Sequence, residues 1–101
     1  MAGTDPRPIE VRYAASPPRG AFVIERDGRR LAEMTYVRAG ATRVLIDHTS
    51  VDDALRGEGA GMLLLEAAVA WARGEGLKVI AVCPFAKAMF ERNASLQDVL
   101  A

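Results

Sequence analysis

The chain has one cysteine and one histidine among its 101 residues. A lone cysteine excludes an intramolecular disulfide. With a single histidine beside it, the ligands for a structural zinc site are missing, so no metal is expected. Charge of either sign is not in surplus: thirteen basic residues balance thirteen acidic ones. The basic excess that covers nucleic-acid phosphates is absent, and no nucleic-acid partner is expected. No apolar run approaches the roughly 18 residues of a membrane-spanning helix, which excludes a membrane partner of that kind. Residues 1–8 are polar, lack the apolar centre of a secretion signal, and read as a loose tail. These absences describe a soluble, cytoplasmic protein with one small domain over residues 9–101.

What is present is a half-hydrophobic chain, enough to bury a core. Residues 9–13 alternate apolar and polar with the period of a half-buried strand. Residues 16–20, Ser-Pro-Pro-Arg-Gly, break it. Residues 21–25 read as a second strand. Asp27-Gly28 then gives a hairpin signal, and residues 30–37 read as a third strand. There Ala32, Met34 and Tyr36 form the core side, and Leu31, Glu33 and Thr35 the other. Residues 43–51 make a fourth strand. A long helix follows from about Gly59 to Glu75, with Leu64, Leu65, Ala68, Trp71 and Ala72 on one face and Gly76 as its C-cap. Residues 77–83 read as a short buried strand. Pro84 opens a second helix, where proline is favoured, and residues 95–101 read as a short helical turn. The fold class is α+β, with about five strands in a mixed, mostly antiparallel sheet. The strand–helix–strand unit makes strands 4 and 5 parallel.

The most informative segment is Arg56-Gly57-Glu58-Gly59-Ala60-Gly61, set between strand 4 and the long helix. Glycine reaches backbone angles closed to other residues and lets a ligand approach the main chain. At a helix start, unpaired N–H groups and the helix dipole favour a phosphate. A Walker loop is excluded, because Met62-Leu63 stands where Lys-Ser/Thr is needed. A dinucleotide fingerprint is excluded too: counted from Gly57 or Gly59, the third glycine falls on Met62 or Leu64. Arg-x-x-Gly-x-Gly remains, carried by Arg56, Gly59 and Gly61.

That loop resembles the coenzyme A pyrophosphate loop of the GNAT superfamily of N-acetyltransferases. His48-Thr49-Ser50-Val51, the Ala-Arg-Gly-Glu-Gly-Leu end of the helix and Val82-Cys83-Pro84-Phe85-Ala86 extend the likeness to a short GNAT subgroup over roughly residues 20–95. The resemblance implies a compact GNAT-like fold with strands 4 and 5 splayed. It implies acetyl-CoA as co-substrate, with pantetheine pairing like an added strand near Val51. Arg56, Gly57, Gly59, Ala60, Gly61 and Met62 would cradle the pyrophosphate. For Arg56 itself, a phosphate contact and a solvated loop cation are both open.

The expected activity is acetyl transfer to an amine, with His48 and Cys83 as the candidate catalytic residues. Histidine is the side chain suited to accept a proton near neutral pH; the alternative is a histidine bonded within the sheet. Cys83 lies at the start of a helix, which favours a thiolate; the alternative is a small buried hydrophobe. Parallel neighbouring strands would bring the two near each other. His48 then serves either as base for direct attack or as activator of Cys83 for an acetyl-cysteine intermediate. Larger GNAT enzymes often carry a proton-donating tyrosine after strand 5, where this chain has Phe85, Met89 and Phe90. They also place two helices between the first two strands, where only residues 14–20 stand here. An open acceptor groove is expected, suited to a protein or peptide amine or completed by a partner subunit, in a monomer or homodimer. The competing reading is a non-catalytic CoA-binding module.

Overall fold

The computed structural model describes residues 9–101; the tail expected over residues 1–8 lies outside the described residues. The strands are β1 (Arg12–Ser16), β2 (Arg19–Arg26), β3 (Arg29–Arg38), β4 (Arg43–Val51) and β5 (Lys78–Ala81). The helices are α1 (Ala60–Glu75), between β4 and β5, and α2 (Pro84–Arg92), after β5. Short 3-10 turns span Asp53–Leu55 and Ala94–Val99. The five strands form one sheet in the order β1-β2-β3-β4-β5. The first four pair antiparallel, and β4 pairs β5 in parallel. This is the mixed α+β sheet expected from the sequence.

Local chemistry sets the turns. Asp27 and Gly28 both have positive φ, 53° and 77°, as a two-residue type I′ hairpin requires. Gly76 ends α1 at φ 69°, with its N–H on the carbonyls of Ala72 and Arg73, the left-handed cap that glycine adopts most readily. The first strand begins three residues later than alternation at residues 9–13 predicts. Pairing runs from Arg12↔Val23 to Ser16↔Arg19, while Ile9 and Val11 pack against the core outside the ladder. Gly20, expected in a turn, lies inside β2 because the Tyr36 ring covers it: a Cβ there would stand 2.4 Å from that ring. The expected fifth strand shrinks to Lys78–Ala81, for a reason that also shapes the site.

The core lies between one face of the sheet and α1. Phe22, Ile24, Met34, Tyr36, Val44 and Ile46 face Leu64, Leu65, Ala68 and Ala72 across it, all buried. Their spacing on α1 is that of one helical stripe. Trp71 stacks on Tyr36 with ring centroids 4.7 Å apart. Tyr36 also bonds the Tyr13 hydroxyl; burial first, then that bond, pushes its own hydroxyl well above the ordinary phenol range. Two β-bulges interrupt strict alternation. In β3 the extra residue is Leu31, between the Ile24↔Ala32 and Glu25↔Arg30 pairs. It turns inward and is buried, not on the outer side with Glu33 and Thr35. In β4 the extra residue is Asp47, between Tyr36↔Ile46 and Thr35↔His48.

Candidate active site

β4 and β5 pair only from Arg43↔Lys78 to Ile46↔Ala81. There the Ile46 carbonyl accepts the N–H groups of both Val82 (3.0 Å) and Cys83 (3.1 Å). This double bond ends β5 and turns the chain into α2, while β4 continues to Val51. The two strands therefore part, as a splayed pair. The Asp52 N–H reaches the Leu31 carbonyl at 2.7 Å. Main-chain groups alternate sides along a strand, so those of Thr49 and Val51 point away from β3 into the gap.

The glycine turn stands at the end of this gap. Asp52 caps the 3-10 turn by accepting from the Ala54 N–H. Gly57 and Gly59 then hold φ 81° and 69°, and a side chain built on either would meet nothing within 4 Å. The Leu63 N–H bonds back to Gly59 at 3.0 Å. Among the described residues, no hydrogen bond occupies the N–H groups of Ala60, Gly61 and Met62, and the first turn of α1 carries no acidic side chain. The cluster of free donors at a helix start, with open space beside it, fits an anion.

The remaining loop residues divide. Arg56 is 79% exposed at its side chain and pairs with Asp53 at 2.7 Å, so its charge is held at the surface beside the cradle. Glu58 pairs with Arg26 at 3.8 Å. Gly61 has a different role from Gly57 and Gly59. It is helical, and a Cβ on it would stand 2.4 Å from Phe85 Cζ. The sequence pattern had no signal for that contact, because it depends on how α2 docks.

Cys83 is buried and caps α2: its sulfur accepts from the Ala86 N–H at 3.4 Å. The sulfur also shares a hydrogen bond with Thr49 Oγ1 at 3.3 Å. The strand that carries His48 does reach Cys83, but through Thr49. The reason is the bulge at Asp47. It places His48 opposite Thr35 and Thr49 opposite Met34, so Thr49 faces the helices and His48 the open face of the sheet. The His48 side chain is 59% exposed, with Nε2 4.0 Å from Glu33 Oε2. Beside it Asp47 accepts from Thr35 at 2.6 Å and from Arg19 at 2.9 Å. Burial works to raise the Asp47 carboxyl, but these two bonds and the Arg19 charge outweigh it and hold it below the ordinary carboxylate value. Thr49 and Glu33 were not among the residues expected from the sequence; a threonine or a glutamate in a strand carries no signal until register is known.

Among the described residues no group of three or more His, Cys, Asp or Glu is placed to hold a metal ion. No described helix is long and apolar enough to cross a membrane.

A parted pair of parallel strands with an anion cradle at the next helix is the architecture of the N-acetyltransferases. The chain belongs to the family described as GCN5-related N-acetyl-transferase, whose model matches residues 21–99. It is similar to a GCN5-like candidate N-acetyltransferase from Staphylococcus aureus solved by NMR. The two are 39% identical, with a TM-score of 0.69, over 91% of this chain and 87% of that one. The fold also matches a ribosomal-protein-alanine N-acetyltransferase from Brucella melitensis, with a TM-score of 0.64 at 17% identity, over 76% of this chain and 62% of that one. An aminoglycoside N-acetyltransferase, AAC(6')-Iy, solved with CoA, matches with a TM-score of 0.55 at 14% identity, over 80% of this chain and 68% of that one. No curated protein shows significant similarity to the chain.

Proposed function

We propose that this protein transfers an acetyl group from acetyl-CoA to an amine acceptor. The observation that carries the proposal is the cradle: three N–H groups, of Ala60, Gly61 and Met62, left unoccupied among the described residues at the end of the gap between β4 and β5. Those donors would hold the pyrophosphate, with Gly57 and Gly59 keeping the approach clear. The main-chain groups of Thr49 and Val51 would pair with the pantetheine arm as a strand would. Acetyl-CoA supplies the activated thioester.

The direct route is the better supported of the two. His48 lies on the open face, exposed and reachable by an acceptor, whereas the Cys83 sulfur is engaged by Thr49 and Ala86 on the helix face. His48 therefore acts as the base for the amine, and Cys83 holds the start of α2. β1 and β2 are joined through Pro17-Pro18 alone, so among the described residues no helix stands between them over the open face. That suits an amine carried on a protein or peptide.

The test is calorimetric titration of CoA into the wild type and a Gly59→Glu variant. Wild-type binding and at least a tenfold loss in the variant, with its fold checked by circular dichroism, support the proposal. Absence of CoA binding to the wild type overturns it. Equal affinity in the variant moves the pyrophosphate away from the cradle.

A further inference from the structure

Glu33 lies diagonally across from His48 on the open face of the sheet. Glu33 pairs with Ser50 and Thr35 pairs with His48, so both side chains rise from the same side. The two oxygens of Glu33 have different partners. Oε1 accepts from Arg30 Nη1 at 3.1 Å. Oε2 is turned to His48 Nε2 at 4.0 Å. That is ion-pair reach, beyond a direct hydrogen bond, and an exposed ring closes it by a small rotation.

The neighbouring charges leave this role to Glu33. Asp47 has both oxygens in use, Oδ1 by Thr35 and Oδ2 by Arg19. Arg30 is paired with Glu33 and with Glu25, and Arg19 with Asp47. The result is a chain of ion pairs, Glu25–Arg30–Glu33, that runs across β2 and β3 and ends against the His48 ring on β4. Arg30 fixes one oxygen of Glu33 and thereby aims the other at the imidazole.

We propose that Glu33 is a positioning residue for His48: its carboxylate holds the ring by Nε2–H and leaves Nδ1 as the proton acceptor for the incoming amine. This rests on the reading of His48 as the base. In that reading the acceptor's ammonium gives one proton to Nδ1. The freed nitrogen forms a bond to the thioester carbonyl carbon as the C–S bond breaks; the nitrogen then gives its second surplus proton to solvent, and CoA leaves as a thiolate that takes a proton from solvent. A carboxylate behind an imidazole fixes its tautomer and stabilises the imidazolium that forms.

The first readout needs no acceptor. The chain has a single histidine, so its imidazole N–H signals in a 15N-labelled sample are unambiguous. An exposed imidazole N–H normally exchanges too fast with water to be seen. An Nε2–H signal is expected in the wild type and in Glu33→Asp, and its loss in Glu33→Gln with the backbone spectrum unchanged. Absence of that signal in the wild type, or its persistence in Glu33→Gln, overturns the proposal.

The second readout is turnover with acetyl-CoA and a lysine-rich peptide, following release of the CoA thiol. Glu33→Gln is expected to lower kcat by about tenfold with KM unchanged, and Glu33→Asp to recover most of the loss. A packing role would tolerate Gln, which has the same shape. If His48→Ala is inactive and Glu33→Gln keeps the wild-type kcat, the positioning role alone fails. If His48→Ala is fully active, the reading of His48 as the base fails first and takes the positioning role with it.

Discussion

The ring of Phe85 fills the place that a side chain on Gly61 would need: a Cβ there would stand 2.4 Å from Cζ and 3.0 Å from Cε1. The start of α1 and the start of α2 are thus locked against each other. The donors of the cradle and the cap formed by Cys83 belong to the same contact.

Gly61→Ala is expected to lower stability by about 1 kcal/mol. Overpacking costs about 1–3 kcal/mol, and the gain in helix propensity returns up to about 1 kcal/mol. In a Phe85→Ala background the clash is gone and the same change becomes neutral or stabilising. Urea unfolding of the four proteins in a double-mutant cycle checks this, with additivity as the contrary result.

Gly57→Ala meets no atom within 4 Å, but it places an L-residue at φ 81°. The expected cost is about 1–2 kcal/mol from left-handed strain alone. The same denaturation measurement checks it, and an unchanged midpoint would show that the turn relaxes to another conformation.

Cys83→Ser keeps an acceptor for the Ala86 N–H, whereas Cys83→Ala removes it. The alanine variant is expected to lose about 1 kcal/mol as a lost N-cap, and the serine variant less. On the direct route both retain acetyl transfer. Loss of turnover in both folded variants, together with an acetyl group found on wild-type Cys83 by mass spectrometry, would establish the covalent route instead.

Asp47 makes stability depend on pH in a defined direction. Its carboxyl is held below the ordinary value in the folded protein, burial opposing and the bonds from Thr35 and Arg19 prevailing. The contribution is therefore complete above the unfolded pKa near ~3.9 and is lost as pH falls through the lower folded value. Asp47→Asn is expected to cost about 1 kcal/mol at neutral pH, since the pair with Arg19 is partly exposed. The gap between variant and wild type closes toward pH ~2. Thermal melts across that range check it; a gap that persists in acid would assign the effect to shape and not to charge.

Where local rules suffice, the sequence was a close guide. Asp27-Gly28, Gly76 and Pro84 each fix a boundary through their own backbone preference. The apolar stripe of α1 and the β4–α1–β5 connection followed from periodicity. Counting by twos failed after each bulge. Leu31 looked outward and is buried, and which of His48 and Thr49 faces the helices was not legible until Asp47 was known to be extra. Glycine had two meanings that composition does not separate. Gly57 and Gly59 satisfy a positive φ, whereas Gly20 and Gly61 each make room for an aromatic ring that comes from a distant part of the chain.

The extra residue in β4 sets Ile46 and Thr49 three positions apart although both face the helices. Two sides of the sheet thereby draw on consecutive residues of a single strand. Shortening the chain by one at Asp47 would make the ladder with β3 regular without moving either residue to the other face. His48 would then follow Ile46 directly and stay on the open face, with Thr49 still toward the helices, and the loss would be the carboxylate that holds Thr35 and Arg19. The division of labour between the two faces is thus written in arithmetic as much as in chemistry: were Asp47 drawn into the ladder as an ordinary residue, His48 and Ser50 would turn to the helices and Thr49 and Val51 to the open face.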